Sequence, residues 1–308
     1  MNGFVYEGKT ALVTGASSGI GETFARELAE RGTDVVLVAR SEDKLRALAE
    51  ELRREHGVRA EVVAADLSEE GVGAEIKDEV ERRGLTVDML INNAGFGTHG
   101  FFEELDPTRD RNQVAVDVMA VADMAHAFLP GMVARGGAVI NLASVGSFQP
   151  APYMAVYAAS KAFVLSFSVA LFEEYRSRGV SVVALAPGAT ETAFFHVAGE
   201  QASLGRRRTP EQAVATALRA LERGRSVAVD GRTNALIAQV MQHLPRRIAA
   251  RIAGRPLRPP GGPNARIDRG EGGLTAADRR ALSPLYHGTF RLQTWTLLCL
   301  SMGGVDGT

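Results

Sequence analysis

Residues 9–21 read KTALVTGASSGIG. A short β-rich run, 9–14, enters a turn that holds Gly15, Gly19 and Gly21, and a stretch with helical spacing follows at about 19–31. A strand that delivers the chain through such a turn into a helix makes an anion site. The first N–H groups of the helix lack intrahelical partners, and the helix dipole favours negative charge. Gly15 allows the tight turn, Gly19 lets backbone approach a pyrophosphate, and Gly21 lets helix and strand pack closely. Ser17, Ser18 and Ile20 fall in the same turn and are candidate contacts. Glycine is common in turns of every kind. The strand before it, the helix after it and the strand–helix units that follow point to a dinucleotide.

Working outward, the same alternation continues. Apolar runs at 34–39, 58–64, 87–91, 137–142 and 180–185 are separated by helical stretches at about 42–56, 68–83, 107–135 and 155–178. The runs are continuously apolar, as strands covered on both faces are. Strand–helix alternation with right-handed crossovers predicts an α/β fold, a doubly wound parallel sheet of the Rossmann kind, with ligands at the carboxyl ends of the strands. TPEQAVATALRALERG (209–224) predicts a helix capped by Thr209, with Pro210 in its first turn, and SVAVD (226–230) a last strand. The expected organisation is one domain over 1–230, a basic helical extension over 231–258, and a linker and tail over 259–308.

Composition narrows the function classes. The chain has 308 residues, 45% hydrophobic and 23% charged, which is globular. Its net charge of −1 argues against binding nucleic acid through bulk charge. The single cysteine, Cys299, excludes an intramolecular disulfide and a cysteine cluster for metal, and His99 and His196 have no carboxylate or histidine at ligand spacing, so no metal is expected. No basic leader with an apolar core stands at the start, and no uninterrupted apolar run approaches bilayer length, so a cytoplasmic enzyme is the expectation.

The end of the second strand reads the cofactor type. A free ribose 2′-hydroxyl wants a carboxylate there; this chain has Ala39, Arg40 and Ser41. A guanidinium pairs with a 2′-phosphate, so NADP is preferred over NAD, with NAD remaining possible. Asp66 and Leu67 close the third strand, where a carboxylate can meet adenine and an apolar side chain can line its pocket. Asp66 equally suits capping of the next helix.

Ser144, Tyr157 and Lys161 carry the chemistry. Tyr157 and Lys161 are four apart and share a helix face. A phenol near its free pKa of about 10 is a poor base at neutral pH, and a neighbouring ammonium lowers that value by stabilising phenolate. Tyr157 can then exchange the hydroxyl proton while hydride moves to or from a nicotinamide, with Ser144 holding the substrate oxygen.

With these residues in place, the chain resembles the short-chain dehydrogenase/reductase family over about residues 5–230. TGASSGIG, NNAG (Asn92 to Gly95), the Ser144/Tyr157/Lys161 set and PGAT (Pro187 to Thr190) occur in the family's order. NNAGFGTHG and PYMAVYAASKAFVLSFS look most like the bacterial members often labelled DltE-like. The resemblance implies that the glycine turn holds the diphosphate and that Asn93, with Ala94 and Gly95, places a ribose. It also implies that Lys161 bonds the nicotinamide ribose and that Pro187, Gly188 and Thr190 flank the nicotinamide. One position departs: the family usually has asparagine in the helix after NNAG, supporting a water in the proton relay, and VAVDVMA puts Asp117 there. Either Asp117 substitutes with a shifted pH profile, or turnover is impaired and the protein acts as a cofactor-binding sensor or scaffold.

The expected substrate is a small-molecule carbonyl or alcohol; Phe96, His99, Phe148, Tyr153, Met154, Phe194, Phe195 and His196 fall in loops at strand ends, a mainly apolar set that is consistent with a hydrophobic substrate and equally with ordinary core. The extension has no acid between Asp230 and Asp268. Its stretch 244–258 either packs an apolar stripe on the body or another subunit, or lies on an anionic membrane surface. By analogy with similar proteins, a homodimer or homotetramer is expected through the helices at 107–135 and 155–178.

Overall fold

The computed structural model describes residues 4–194, 199 and 207–259. Seven strands form one sheet, all parallel, in the order β3-β2-β1-β4-β5-β6-β7. They are β1 (Thr10–Thr14), β2 (Asp34–Ala39), β3 (Ala60–Ala64), β4 (Met89–Asn92), β5 (Gly137–Leu142), β6 (Val180–Ala186) and β7 (Val227–Val229). The helices are α1 (Gly19–Glu30), α2 (Glu42–His56), α3 (Val72–Arg82), α4 (Pro107–Val114), α5 (Ala120–Arg135), α6 (Ala155–Tyr175), α7 (Pro210–Glu222), α8 (Arg232–His243) and α9 (Arg246–Leu257). The doubly wound parallel sheet is the one the alternation predicts.

Alternation along each strand divides the core between two layers. Ala11 and Val13 of β1 face Phe24 and Leu28 of α1, Leu45 of α2 and Leu218 of α7. Leu12 between them faces the opposite layer, with Ile76 of α3, Met124 and Phe128 of α5 and Leu171 of α6. Burying a leucine or phenylalanine fully is worth about 1.5–3 kcal/mol, so both layers hold the sheet firmly. The strand order reverses between β1 and β4, and the crevice at their carboxyl ends is the expected ligand site.

Local chemistry explains several boundaries. Thr209 caps α7 as expected: its hydroxyl accepts from Gln212 N at 3.4 Å, and the Gln212 side chain accepts from Thr209 N at 3.2 Å. The helix expected from 68 starts only at Val72, because Asp66 folds back on Ser68 and Gly71 sits at φ +77°. The long helix expected over 107–135 is interrupted by a wide π turn at Ala115–Met119, which contains Asp117. With that turn included, 107–135 and the stretch 155–178 are long and apolar enough to cross a membrane, although the sequence shows no unbroken apolar run of that length. Their inner faces are packed on the sheet through residues such as Met124, Phe128 and Leu171, as helices of a layered core are.

One compact unit spans Met1–Pro259 and includes the extension. The extension forms two helices, with α8 preceding the helical stretch read at 244–257. The apolar stripe of α9 is turned inward: Ile248, Ala249, Ala253 and Leu257 are buried. This is the packing on the body that the first reading of 244–258 describes. Residues 260–308 lie outside the described residues.

Candidate active site

A cleft of about 860 Å³ opens at the carboxyl ends of the strands. The turn after β1 contributes Gly15, Ser17, Ser18, Gly19 and Ile20; the end of β2 contributes Arg40 and Ser41; the end of β3 contributes Asp66 and Leu67. Asn93, Ala94 and Gly95 follow β4, and Pro187, Gly188 and Thr190 follow β6. Ser144, Tyr157 and Lys161 line the same cleft.

Two of the catalytic and cofactor candidates do not line it. Gly21 lies behind the turn, where a Cβ would stand 2.3 Å from Gly15 O and 2.4 Å from Asn93 Nδ2. It serves the close packing read from the sequence and makes no wall of the cleft. Asp117 is fully buried beneath Gly95, so its carboxylate does not reach the cavity.

The residues around the glycine turn fit a dinucleotide diphosphate. Gly15 and Gly19 adopt φ +65° and +60°, where a side chain is strained. A Cβ on Gly15 would meet Ala94 Cα at 2.9 Å. The N-cap of α1, Ser18, makes no side-chain capping bond, so the first N–H groups of the helix are left to a bound anion. Asn93 braces the turn: its Nδ2 donates to Thr14 O at 2.8 Å, and Thr14 Oγ1 accepts from Asn93 N at 2.9 Å.

Arg40 is exposed, with one guanidinium nitrogen 3.8 Å from Asp66 Oδ2. Asp66 accepts from both the backbone N and the hydroxyl of Ser68, and these bonds, led by the backbone one, hold its carboxyl below the usual range. Asp66 therefore caps a turn and not α3.

Lys161 and Tyr157 project from α6. Lys161 Nζ, almost fully buried, donates to Leu142 O at 3.1 Å and lies 3.7 Å from Asp117 Oδ2. It sits 5.8 Å from the centroid of the Tyr157 ring. Burial pushes the Tyr157 phenol up, a hydrogen bond with Ser144 pulls it down, and the charge of Asp117 pushes it up further. Burial likewise raises Asp117, to about 6, against the opposing pull of Lys161 and of the Phe96 N–H. The Lys161 ammonium thus faces the Asp117 carboxylate as well as the Tyr157 ring.

The substrate end of the cleft is apolar. Phe96, Met154 and Phe194 line it, with Phe194 5.3 Å from the Tyr157 ring, centroid to centroid. His99 instead bonds the end of α9, Phe148 packs beside Val164 on the sheet, and Tyr153 stacks edge-on against Phe101. Phe195 and His196 lie outside the described residues. The extension supplies lining residues that sequence reasoning missed: Asn234 and Ile237 of α8, Ala253 and Leu257 of α9. Nothing local in the sequence marks them, because only the docking of the two helices brings them there. Among the described residues no group of three potential ligands could hold a metal ion.

A family model described as short chain dehydrogenase matches residues 9–203, which span both the glycine turn and the Ser144/Tyr157/Lys161 set. The chain belongs to the short-chain dehydrogenase family. Its members are NAD(P)-dependent oxidoreductases, and this chain is one of them. This short-chain dehydrogenase is 34% identical over 261 residues to a very-long-chain 3-oxoacyl-CoA reductase of Bos taurus, covering 80% of this chain and 78% of that one. Among solved structures it is similar to a short-chain dehydrogenase from Sphingobium yanoikuyae in complex with NADPH (TM-score 0.68, 35% identity, 77% of this chain and 97% of that one). It is also similar to the bulky-bulky ketone specific alcohol dehydrogenase from Comamonas testosteroni (TM-score 0.65, 32% identity, 77% and 95%). None of these three names is that of the DltE-like subgroup.

Proposed function

We propose that this short-chain dehydrogenase is an NADPH-dependent reductase of ketones that carry a large apolar group. The observation that carries this reading is the convergence, in one cleft, of Ser144, Tyr157 and Lys161 with an apolar wall of Phe96, Met154, Phe194, Ile237, Ala253 and Leu257. The names of the relatives, a very-long-chain 3-oxoacyl-CoA reductase and a bulky-ketone alcohol dehydrogenase, support a substrate of that class.

The diphosphate fits the glycine turn and the uncapped start of α1, and the 2′-phosphate fits Arg40. The bound cofactor supplies a hydride. Ser144 holds the carbonyl oxygen, and as the carbonyl carbon accepts hydride the oxygen takes the proton of the Tyr157 hydroxyl. The products are the alcohol and a tyrosinate, which regains a proton from solvent. Lys161 holds the nicotinamide ribose, and the apolar wall keeps bulk water from the reacting carbon.

The test is NADPH consumption over a panel of long-chain 3-oxoacyl thioesters, steroid ketones and aryl ketones, with small ketoses as controls. Turnover concentrated on the bulky apolar ketones supports the reading. NADPH binding with no turnover on any carbonyl would support a sensor or scaffold instead.

A further inference from the structure

Asp117 and Lys161 form a buried ion pair directly behind the proposed proton donor. The π turn at Ala115–Met119 carries Asp117, which has no exposed surface, and α6 carries Lys161, of which 4% is exposed. The carboxylate is fixed from one side. Its Oδ1 accepts from Phe96 N at 3.2 Å, and a Cβ on Gly95 would stand 2.6 Å from that oxygen and 2.9 Å from Lys161 Nζ. The other oxygen, Oδ2, has no hydrogen bond, and the Lys161 ammonium 3.7 Å away is its one charged partner among the described residues. Opposite charges at that distance, both removed from water, interact far more strongly than a surface pair.

A lysine four residues after a tyrosine acidifies the phenol less than it otherwise would when an opposite charge stands beside its ammonium. Here the charge is opposed at closer range than the tyrosine ring. We infer that Asp117 is a positioning residue which opposes the charge of Lys161, makes the Tyr157 hydroxyl less acidic, and so moves upward the pH range in which this site turns over.

The chemistry follows from what each direction needs. Reduction needs the Tyr157 hydroxyl, which gives its proton to the new alkoxide. Oxidation needs the Tyr157 phenolate, which takes that proton as hydride leaves the alcohol carbon for the oxidised cofactor. The groups bearing on Asp117 are Lys161 on α6 and the Phe96 N–H of the loop after β4, and Tyr157 is the titratable group its charge reaches. With its pKa near 6, Asp117 is ionised at neutral pH and protonated below. Its charge is therefore in place at neutral pH.

The inference rests on the reading of Tyr157 as acid and base, and the experiment separates the two. Alcohol oxidation with NADP is measured against pH for the parent and for Asp117→Asn, whose amide still accepts from Phe96 N. The asparagine variant is expected to reach half-maximal oxidation at least one pH unit lower, which is about tenfold faster oxidation at pH 8 for each unit. Its kcat/KM for ketone reduction at pH 7 is expected to rise by the same factor, because the two directions share one transition state. Midpoints that coincide, or move upward, overturn the inference.

A second measurement uses the parent alone. As pH rises, its log oxidation rate climbs with unit slope and then flattens near pH 6, where Asp117 ionises and makes phenolate harder to form. An unbroken unit slope from pH 5 to 8 contradicts the inference. A third readout needs no turnover: the tyrosinate absorbance, taken as the difference from Tyr157→Phe, must appear at lower pH in Asp117→Asn than in the parent. Should no carbonyl be reduced, the functional reading fails, while this titration still decides the role of Asp117.

Discussion

The imidazole Nε2 of His99 lies 2.6 Å from the carbonyl oxygen of Leu257, the last residue of α9. A carbonyl only accepts, so this ring nitrogen carries the proton. The bond ties the loop after β4, whose Phe96 faces the cleft, to a helix that begins 150 residues later. Beside it, Leu257 packs with Ala151, Met154 and Ala158 under Tyr157 and Phe194. Gly254 touches Pro152 so closely that a Cβ would stand 2.8 Å from the ring. The extension is thus a wall of the substrate site.

From this wall follows a separation of kinetic constants. His99→Ala removes a bond worth about 1 kcal/mol and leaves the Leu257 carbonyl without its partner. The reacting atoms are untouched. The expected result is a KM for bulky ketones raised about threefold to tenfold with kcat nearly unchanged, measured by steady-state kinetics. A loss confined to kcat would show that His99 acts on the chemistry instead.

Cofactor choice is expected to turn on Arg40. Its side chain is 78% exposed and its ion pair with Asp66, at 3.8 Å, is a surface pair worth about 1 kcal/mol or less. The guanidinium can therefore turn to a 2′-phosphate at little cost. Arg40→Asp is expected to weaken NADPH at least tenfold while leaving NADH within about threefold, by fluorescence titration. Equal losses for both cofactors would remove Arg40 from the selectivity account.

The glycine turn makes a stability prediction. A Cβ on Gly21 would collide with backbone, 2.3 Å from Gly15 O, and backbone of the phosphate turn cannot retreat as a side-chain tip can. Gly21→Ala is expected to cost about 1–3 kcal/mol and lower the Tm by several degrees. NADPH affinity should fall with it, because Gly15 is displaced. Calorimetry with and without NADPH checks both parts.

Assembly is expected to use the outer faces of the long helices. Met119 in the π turn and Phe163 and Val169 of α6 are 57%, 38% and 37% exposed, and Phe163 stacks on Phe167 at 5.5 Å. Large apolar groups on one helical layer of a water-exposed body mark an association face. We propose a homodimer through it. Light scattering is expected to give a dimer for the parent and a monomer for Phe163→Glu; a monomeric parent would refute this.

The parts legible in the sequence are those whose signal is local. The strand, turn and helix of residues 9–31 announce themselves by residue type alone, and so do the four-residue spacing of Tyr157 and Lys161 and the Thr209–Gln212 cap. Other features depend on tertiary placement. Ile237, Ala253 and Leu257 line the cleft only because α8 and α9 dock against the loop holding Pro152. Asp117 reads as a relay residue in one dimension. In three it lies under Gly95 as the partner of Lys161, a pairing that only the packing of the π turn against α6 creates. Tyr153, at φ +68°, holds a backbone conformation that its residue type disfavours, fixed by Gly100 N bonding its carbonyl at 2.9 Å.

The most direct measurement is ketone reduction by Tyr157→Phe, with NADPH binding followed in parallel. The side chain keeps its ring, so its packing on Phe194 and the cofactor cleft should survive. The account predicts that NADPH affinity stays within about twofold while kcat falls about 10²–10⁴-fold, the usual worth of a positioned proton donor. A phenylalanine variant that reduces ketones at the parent's rate would contradict it.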